Sequence, residues 1–289
     1  MDEFLILSLP PMVIASLAAI ACALPGNFLL LSRRAMLGDA MSHVVLPGIV
    51  MAFLLTGSAN GVVMGAGALA SAGLAAVLIE FVARRARLEP GAAMAVVFTS
   101  LFAAGVVLLE TTGTSGIHLD VEHALYGNLE SLIWLAGPPP ELLRLGIIAA
   151  GLAIALVLVW RPLVLTTFDP VFAQTQGIPT GWLRAGVTAA TALAAVAAFQ
   201  AVGSILTIAM LICPAAAARL LTTRLPAQIA ASLGFAVASA VLGYVLAGYA
   251  PLWLGLPYTV SASGMIATVA GLMLAGAALV ASHRTKPSL

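Results

Sequence analysis

The chain has 289 residues, of which 62% are hydrophobic and 8% charged. An ordinary soluble domain carries about 25% charged residues, so this chain cannot build the polar exterior of a soluble globule and its apolar surface must face lipid. The net charge of +1 is no argument for a nucleic-acid partner, and none is expected; the informative property is where the charges sit.

A hydrocarbon core about 30 Å thick takes roughly 20 apolar residues per spanning helix. Nine segments qualify, at about 5–30, 35–56, 61–83, 92–110, 143–160, 184–200, 203–219, 227–248 and 258–281. The sequence predicts an all-α, polytopic membrane bundle forming a single transmembrane domain over 1–289. The start, Met1-Asp2-Glu3, is acidic where a secretory signal begins basic, so the first segment is expected to be retained. The sixth and seventh segments are separated only by residues 199–203, and one of the two could be broken or half-length. Small residues recur, as in Gly61 to Gly73 and Ala189 to Ala198, and let helix backbones approach closely.

Basic residues set the orientation. With the N-terminus outside and the C-terminus inside, the inner ends receive Arg33, Arg34, Arg84, Arg85, Arg87, Arg161, Arg184, Arg219, Arg224, Arg284 and Lys286. Of the 12 Lys and Arg residues only Arg144 falls outside, the asymmetry expected of cytoplasmic loops.

In chain order, the second segment opens with Gly38-Asp39-Ala40-Met41-Ser42-His43 and continues to Pro47-Gly48. Asp39 and His43 are four apart and share a helix face. Ionisable groups inside a membrane helix are costly and usually face a cavity, a partner or a transport path. Carboxylate plus imidazole suits a divalent transition metal; a helix-start Asp and a packing His explain the pair equally well. Pro47 removes a backbone donor and can kink the helix. Glu80 reads as structural, and Glu110 as a possible contributor to an outer vestibule.

The outer loop, 111–142, contains His118-Leu119-Asp120-Val121-Glu122-His123, with His118, Asp120, Glu122 and His123 as candidate metal-entry ligands against a plain solvated segment. The inner loop, 161–183, contains Phe168-Asp169-Pro170-Val171-Phe172 through Gly177. Asp169 is a good N-cap, Pro170 a good first helical residue and Gly177 a good stop. A short surface helix over 169–177 is predicted, either a connector or a docking element for a cytoplasmic partner. Cys22 and Cys213 both lie in apolar segments and define no disulfide framework. Cys213 precedes Pro214 and is a candidate soft-metal ligand, although free Cys commonly packs as a small hydrophobe. No phosphate-binding loop, His-Glu-x-x-His or nucleophile–base signature occurs, so any ATP-driven transport needs a partner subunit. An intramembrane enzyme is thereby disfavoured. A stand-alone secondary metal transporter stays open as the alternative, although neither clear charge pairs nor an inverted repeat is visible.

The run Arg33-Arg34-Ala35-Met36-Leu37-Gly38-Asp39-Ala40-Met41-Ser42-His43 through Pro47-Gly48 resembles the signature of the ABC-3 family of manganese, zinc and iron ABC-transporter permeases. Residues 168–177 resemble that family's coupling region, and 202–216 its late-helix motif, where the family more often has an aliphatic residue at the position of Cys213. The resemblance implies a type II ABC importer-like fold in a bacterial cell membrane, with no permanently bound cofactor and manganese, zinc or iron as cargo, manganese slightly favoured. It implies two copies of an ATP-binding subunit inside, contacted through Asp169, Pro170, Phe172 and Gly177. It further implies an extracytoplasmic metal-binding protein outside, a second permease copy as a homodimer or pseudo-dimer, and surrounding membrane lipid. Asp39 and His43 match the family's path-lining pair.

Overall fold

The computed structural model describes residues 8–57, 61–111, 129, 140–253, 255 and 260–284. The candidate ligands His118, Asp120, Glu122 and His123 lie outside the described residues. Among those described, eleven helices follow in order: α1 (Leu9–Leu31), α2 (Met36–Thr56), α3 (Gly61–Ala86), α4 (Pro90–Thr111), α5 (Pro140–Leu158), α6 (Trp160–Phe168), α7 (Pro170–Thr175), α8 (Thr180–Val202), α9 (Ser204–Leu221), α10 (Leu225–Trp253) and α11 (Ala262–Arg284). Nine of them, all but α6 and α7, are long and apolar enough to cross a membrane. At 1.5 Å per residue, a helix of 20 residues matches the hydrocarbon thickness, and these nine agree segment by segment with those read from the sequence.

α1 is the hub. It packs against α5, α8, α9 and α10, and its buried residues include the run Ala21-Cys22-Ala23-Leu24-Pro25-Gly26-Asn27. In lipid no hydrophobic gain separates helix–helix from helix–lipid contact, so close packing of small side chains and internal hydrogen bonds must hold the bundle. Both are present. A Cβ on Gly26 would overlap the backbone carbonyl of Leu211 in α9, so α1 and α9 meet backbone to backbone. Between α1 and α10, the fully buried Asn27 donates from Nδ2 to Ser232 Oγ at 2.7 Å and to Ala23 O at 2.8 Å, and its Oδ1 accepts from Gln228 Nε2 at 3.0 Å.

The junction between the sixth and seventh spans is a single residue. Gly203 (φ +82°) ends α8 and caps α9, in a backbone region favoured by glycine. The carbonyls exposed there find side-chain partners: Val202 O accepts from Ser263 Oγ at 2.9 Å, and Gly203 O from Thr207 Oγ1 at 2.7 Å. This accounts for a sharp break inside an apolar stretch. Both flanking helices are full-length, 23 and 18 residues, so neither is a half-helix.

The stretch read as an inner loop, 161–183, is mostly helical. α6 follows α5 after one non-helical residue, Val159; Pro162, lacking an N–H, cannot continue the α5 hydrogen-bond ladder onto Leu158. α8 starts at Thr180, a turn earlier than the apolar pattern indicates, because its first turn is made of polar and interfacial residues, Thr180-Gly181-Trp182.

Candidate metal path and coupling surface

α2 is held on several sides. It packs on α3, α4, α8 and α9, and three glycine positions set its distance from its neighbours. A Cβ on Gly48 would overlap the carbonyl of Gly67 in α3; one on Gly105 of α4 would lie 3.0 Å from Pro47; one on Gly38 would lie 2.8 Å from the Leu211 side chain of α9. Ser71 Oγ of α3 donates to Val44 O at 2.9 Å, three residues before Pro47. The helix is thus clamped on either side of its proline, which fixes the azimuth of the face carrying Asp39 and His43.

On that face His43 Nε2 lies 3.3 Å from Asp39 Oδ1, with the two side chains 33% and 37% exposed. The imidazole is boxed by α4: it stacks on Phe98, with centroids 5.8 Å apart and planes at 23°, and meets Phe102 edge-on at 5.7 Å. One side of the ring is therefore fixed by aromatic contact, and its nitrogen edge is left toward Asp39. The nine residues from Arg34 to His43 span roughly 13 Å of helical rise, so His43 stands about that far along α2 from Arg34, and Asp39 a turn closer to the end bearing Arg33 and Arg34. Phe98 and Phe102 were not singled out in the sequence; their spacing of four on α4 puts them on one face, but nothing in one sequence says which helix they confront.

Cys213 is half-buried against the core. Among the described residues no three His, Cys, Asp or Glu side chains gather into a metal-holding group. Cys213 therefore does not join Asp39 and His43 as a third ligand within this chain, and the pair offers two donors per chain. Cys22 is buried in α1 with Sγ 4.0 Å from Ala194 O and packs as a small apolar residue.

The coupling candidate forms a rigid mount. Asp169 caps α7, its Oδ1 accepting from Phe172 N at 2.9 Å. The helix ends in a tight turn, where Gly177 (φ +74°) donates to Gln174 O and Ile178 N donates to Ala173 O, each at 3.0 Å. Ala173 is fully buried, and Gln174 Nε2 donates to Thr180 Oγ1 at 3.0 Å, tying α7 to the first turn of α8. Outside this anchored base stand Phe168, Val171 and Phe172, all exposed. α7 is thus a short, capped helix between α6 and α8 that presents exposed apolar side chains, which makes it a candidate interaction surface.

A family profile described as the ABC 3 transport family matches residues 3–281. The manganese transport system membrane protein MntD of Bacillus subtilis is 39% identical over 270 residues, covering 91% of this chain and 88% of that protein. The zinc transport system membrane protein TroD of Treponema pallidum is 32% identical over 70% of this chain and 56% of its own length. Among solved structures, PsaBC from Streptococcus pneumoniae in complex with Fab superposes with a TM-score of 0.79 at 26% identity, covering 96% of this chain and 93% of that one.

Proposed function

The chain belongs to the ABC 3 transport family, and from that premise we propose that it is the membrane-spanning subunit of an ATP-driven importer for a divalent transition metal. The observation that carries the proposal is the Asp39–His43 pair: an ionisable pair in the first turns of a spanning helix, about one-third exposed, its ring braced by Phe98 and Phe102. Such groups are costly in a membrane unless they meet an ion or a partner. Donors about 2.1 Å from one ion and 3.3 Å apart subtend about 100°, between the octahedral and tetrahedral angles, so one divalent ion could bridge them with little movement. Carboxylate and imidazole suit manganese, iron and zinc. The relatives named for manganese and zinc transport favour manganese first and zinc second.

Two donors do not complete a shell. A second copy related by a two-fold axis along the path would bring another Asp39 and His43, and a four-donor site shared by two chains suits an ion that must leave as well as bind. Energy enters from inside. With no phosphate-binding loop in the sequence, hydrolysis belongs to a separate ATP-binding subunit, one per permease copy, that receives α7. Metal arrives from an extracytoplasmic binding protein, and the N-terminus is outside and the C-terminus inside. The test is uptake by proteoliposomes holding the permease, its ATP-binding subunit and its binding protein. ATP-dependent uptake of manganese, competed by zinc or iron, is expected; uptake without ATP or without the ATP-binding subunit would overturn the importer reading in favour of a secondary transporter.

A further inference from the structure

At the end of the bundle carrying Arg33 and Arg34, a cleft of about 540 Å³ opens between the α1–α2 link, the start of α4, α6 and the first turns of α8. Arg33, Arg34 and Arg184 line it, with Glu89 the one carboxylate in the lining, an excess of two positive charges. None of the three guanidinium groups makes a hydrogen bond or ion pair with another described residue, and Glu89 pairs with none of them. Thr166, 5% exposed, also lines the cleft, and its hydroxyl is buried without a hydrogen-bond partner. Arg33 is held at φ +57°, a conformation that costs a non-glycine residue energy. Unpaired guanidinium groups beside a buried, unsatisfied hydroxyl make up the donor set of a phosphate site.

A second cavity, about 360 Å³, adjoins the first and shares Phe28, Leu163, Leu183 and Val187 with it. It runs between α1, α5 and α8 and is lined by apolar groups throughout, among them Leu24, Leu156 and Ala190. From Leu183 to Ala190 along α8 it descends roughly 10 Å toward the membrane centre. Trp182, 81% exposed, stands at its rim, where an indole prefers the headgroup level. A cationic head pocket continuous with an apolar groove matches one molecule carrying both an anionic head and acyl chains.

We propose that this composite cleft binds an anionic phospholipid, with the phosphate against Arg33, Arg34 and Arg184 and an acyl chain in the groove between α1, α5 and α8. The site lies beside α7, so an occupied cleft would brace the base of the coupling element. In the orientation proposed above it faces the cytoplasmic leaflet, whose anionic lipids favour basic pockets of this kind. The proposal does not depend on which ion is carried.

The test is native mass spectrometry of the full-length permease, alone and assembled with its ATP-binding subunit, titrated with phosphatidylglycerol, phosphatidylcholine and inorganic phosphate. One phosphatidylglycerol per permease is expected, held at least tenfold more tightly than phosphatidylcholine. The double variant Arg33→Gln/Arg184→Gln should weaken it on the order of 30-fold, at about 1 kcal/mol per cation. Gly186 lines the groove and a Cβ there meets nothing within 4 Å, so Gly186→Trp should fill the groove without disturbing the bundle and also weaken the lipid at least tenfold. Unchanged phosphatidylglycerol binding in Gly186→Trp, or its displacement by equimolar inorganic phosphate, would make this a small-anion site and overturn the proposal. Loss of the lipid when the ATP-binding subunit assembles would overturn it too, because the cleft would then be covered by protein.

Discussion

At the scale of single residues, glycines shape the surroundings of α2 as much as the polar pair does. Gly48 and Gly67 allow α2 and α3 to touch backbone to backbone, and a Cβ on either overlaps the other helix. Gly48→Ala is therefore expected to destabilise the protein by about 1–3 kcal/mol through overpacking, read as a lower midpoint of thermal unfolding in detergent. Gly73→Ala on the same α3, where a Cβ meets nothing within 4 Å, should leave the midpoint unchanged or raise it slightly. Equal effects in the two variants would contradict the packing described for α2. The Asp39–His43 pair was legible in the sequence because spacing of four fixes a common helix face. The brace of Phe98 and Phe102 was not, because side chains on different helices meet through tertiary packing that a local pattern does not encode.

At the scale of elements, the sequence located the nine spans because hydrophobic length is a strong signal and the bilayer sets it. It missed α6, whose nine residues, Trp160 to Phe168, mix Arg, Thr and apolar groups and give neither a spanning length nor a strong alternation. It located α7 because Asp169-Pro170 and Gly177 are start and stop signals with a mechanism, and the structure shows both at work in the cap to Phe172 N and the φ of +74°. Two variants separate their roles. Asp169→Ala removes the cap and should cost about 1 kcal/mol of local stability, with a partial loss of ATPase coupling. Gly177→Val forces a β-branched residue to positive φ, a strain of about 1–3 kcal/mol, and should break metal-stimulated ATP hydrolysis while the membrane bundle stays intact. Wild-type coupling in Gly177→Val would count against α7 as the docking element.

At the scale of the whole molecule, the bundle buries α1 and leaves much of α3, α4 and α5 exposed. That apolar surface serves lipid and, in the proposed assembly, a second permease copy. In the orientation proposed above the two ends of the chain lie on opposite sides of the membrane, so labelling near residue 2 should require no permeabilisation while labelling near 287 should require it; labelling of both from one side would reject the odd number of spans. The central claim is that Asp39 and His43 contact the ion as it passes. It is tested most directly by manganese uptake into proteoliposomes containing the permease, its ATP-binding subunit and its binding protein, for Asp39→Ala and His43→Ala. Each variant should assemble with the ATP-binding subunit in wild-type yield and lose uptake by about tenfold or more, as expected when one donor of a shared site is removed. An assembled variant that takes up manganese at the wild-type rate would contradict the account.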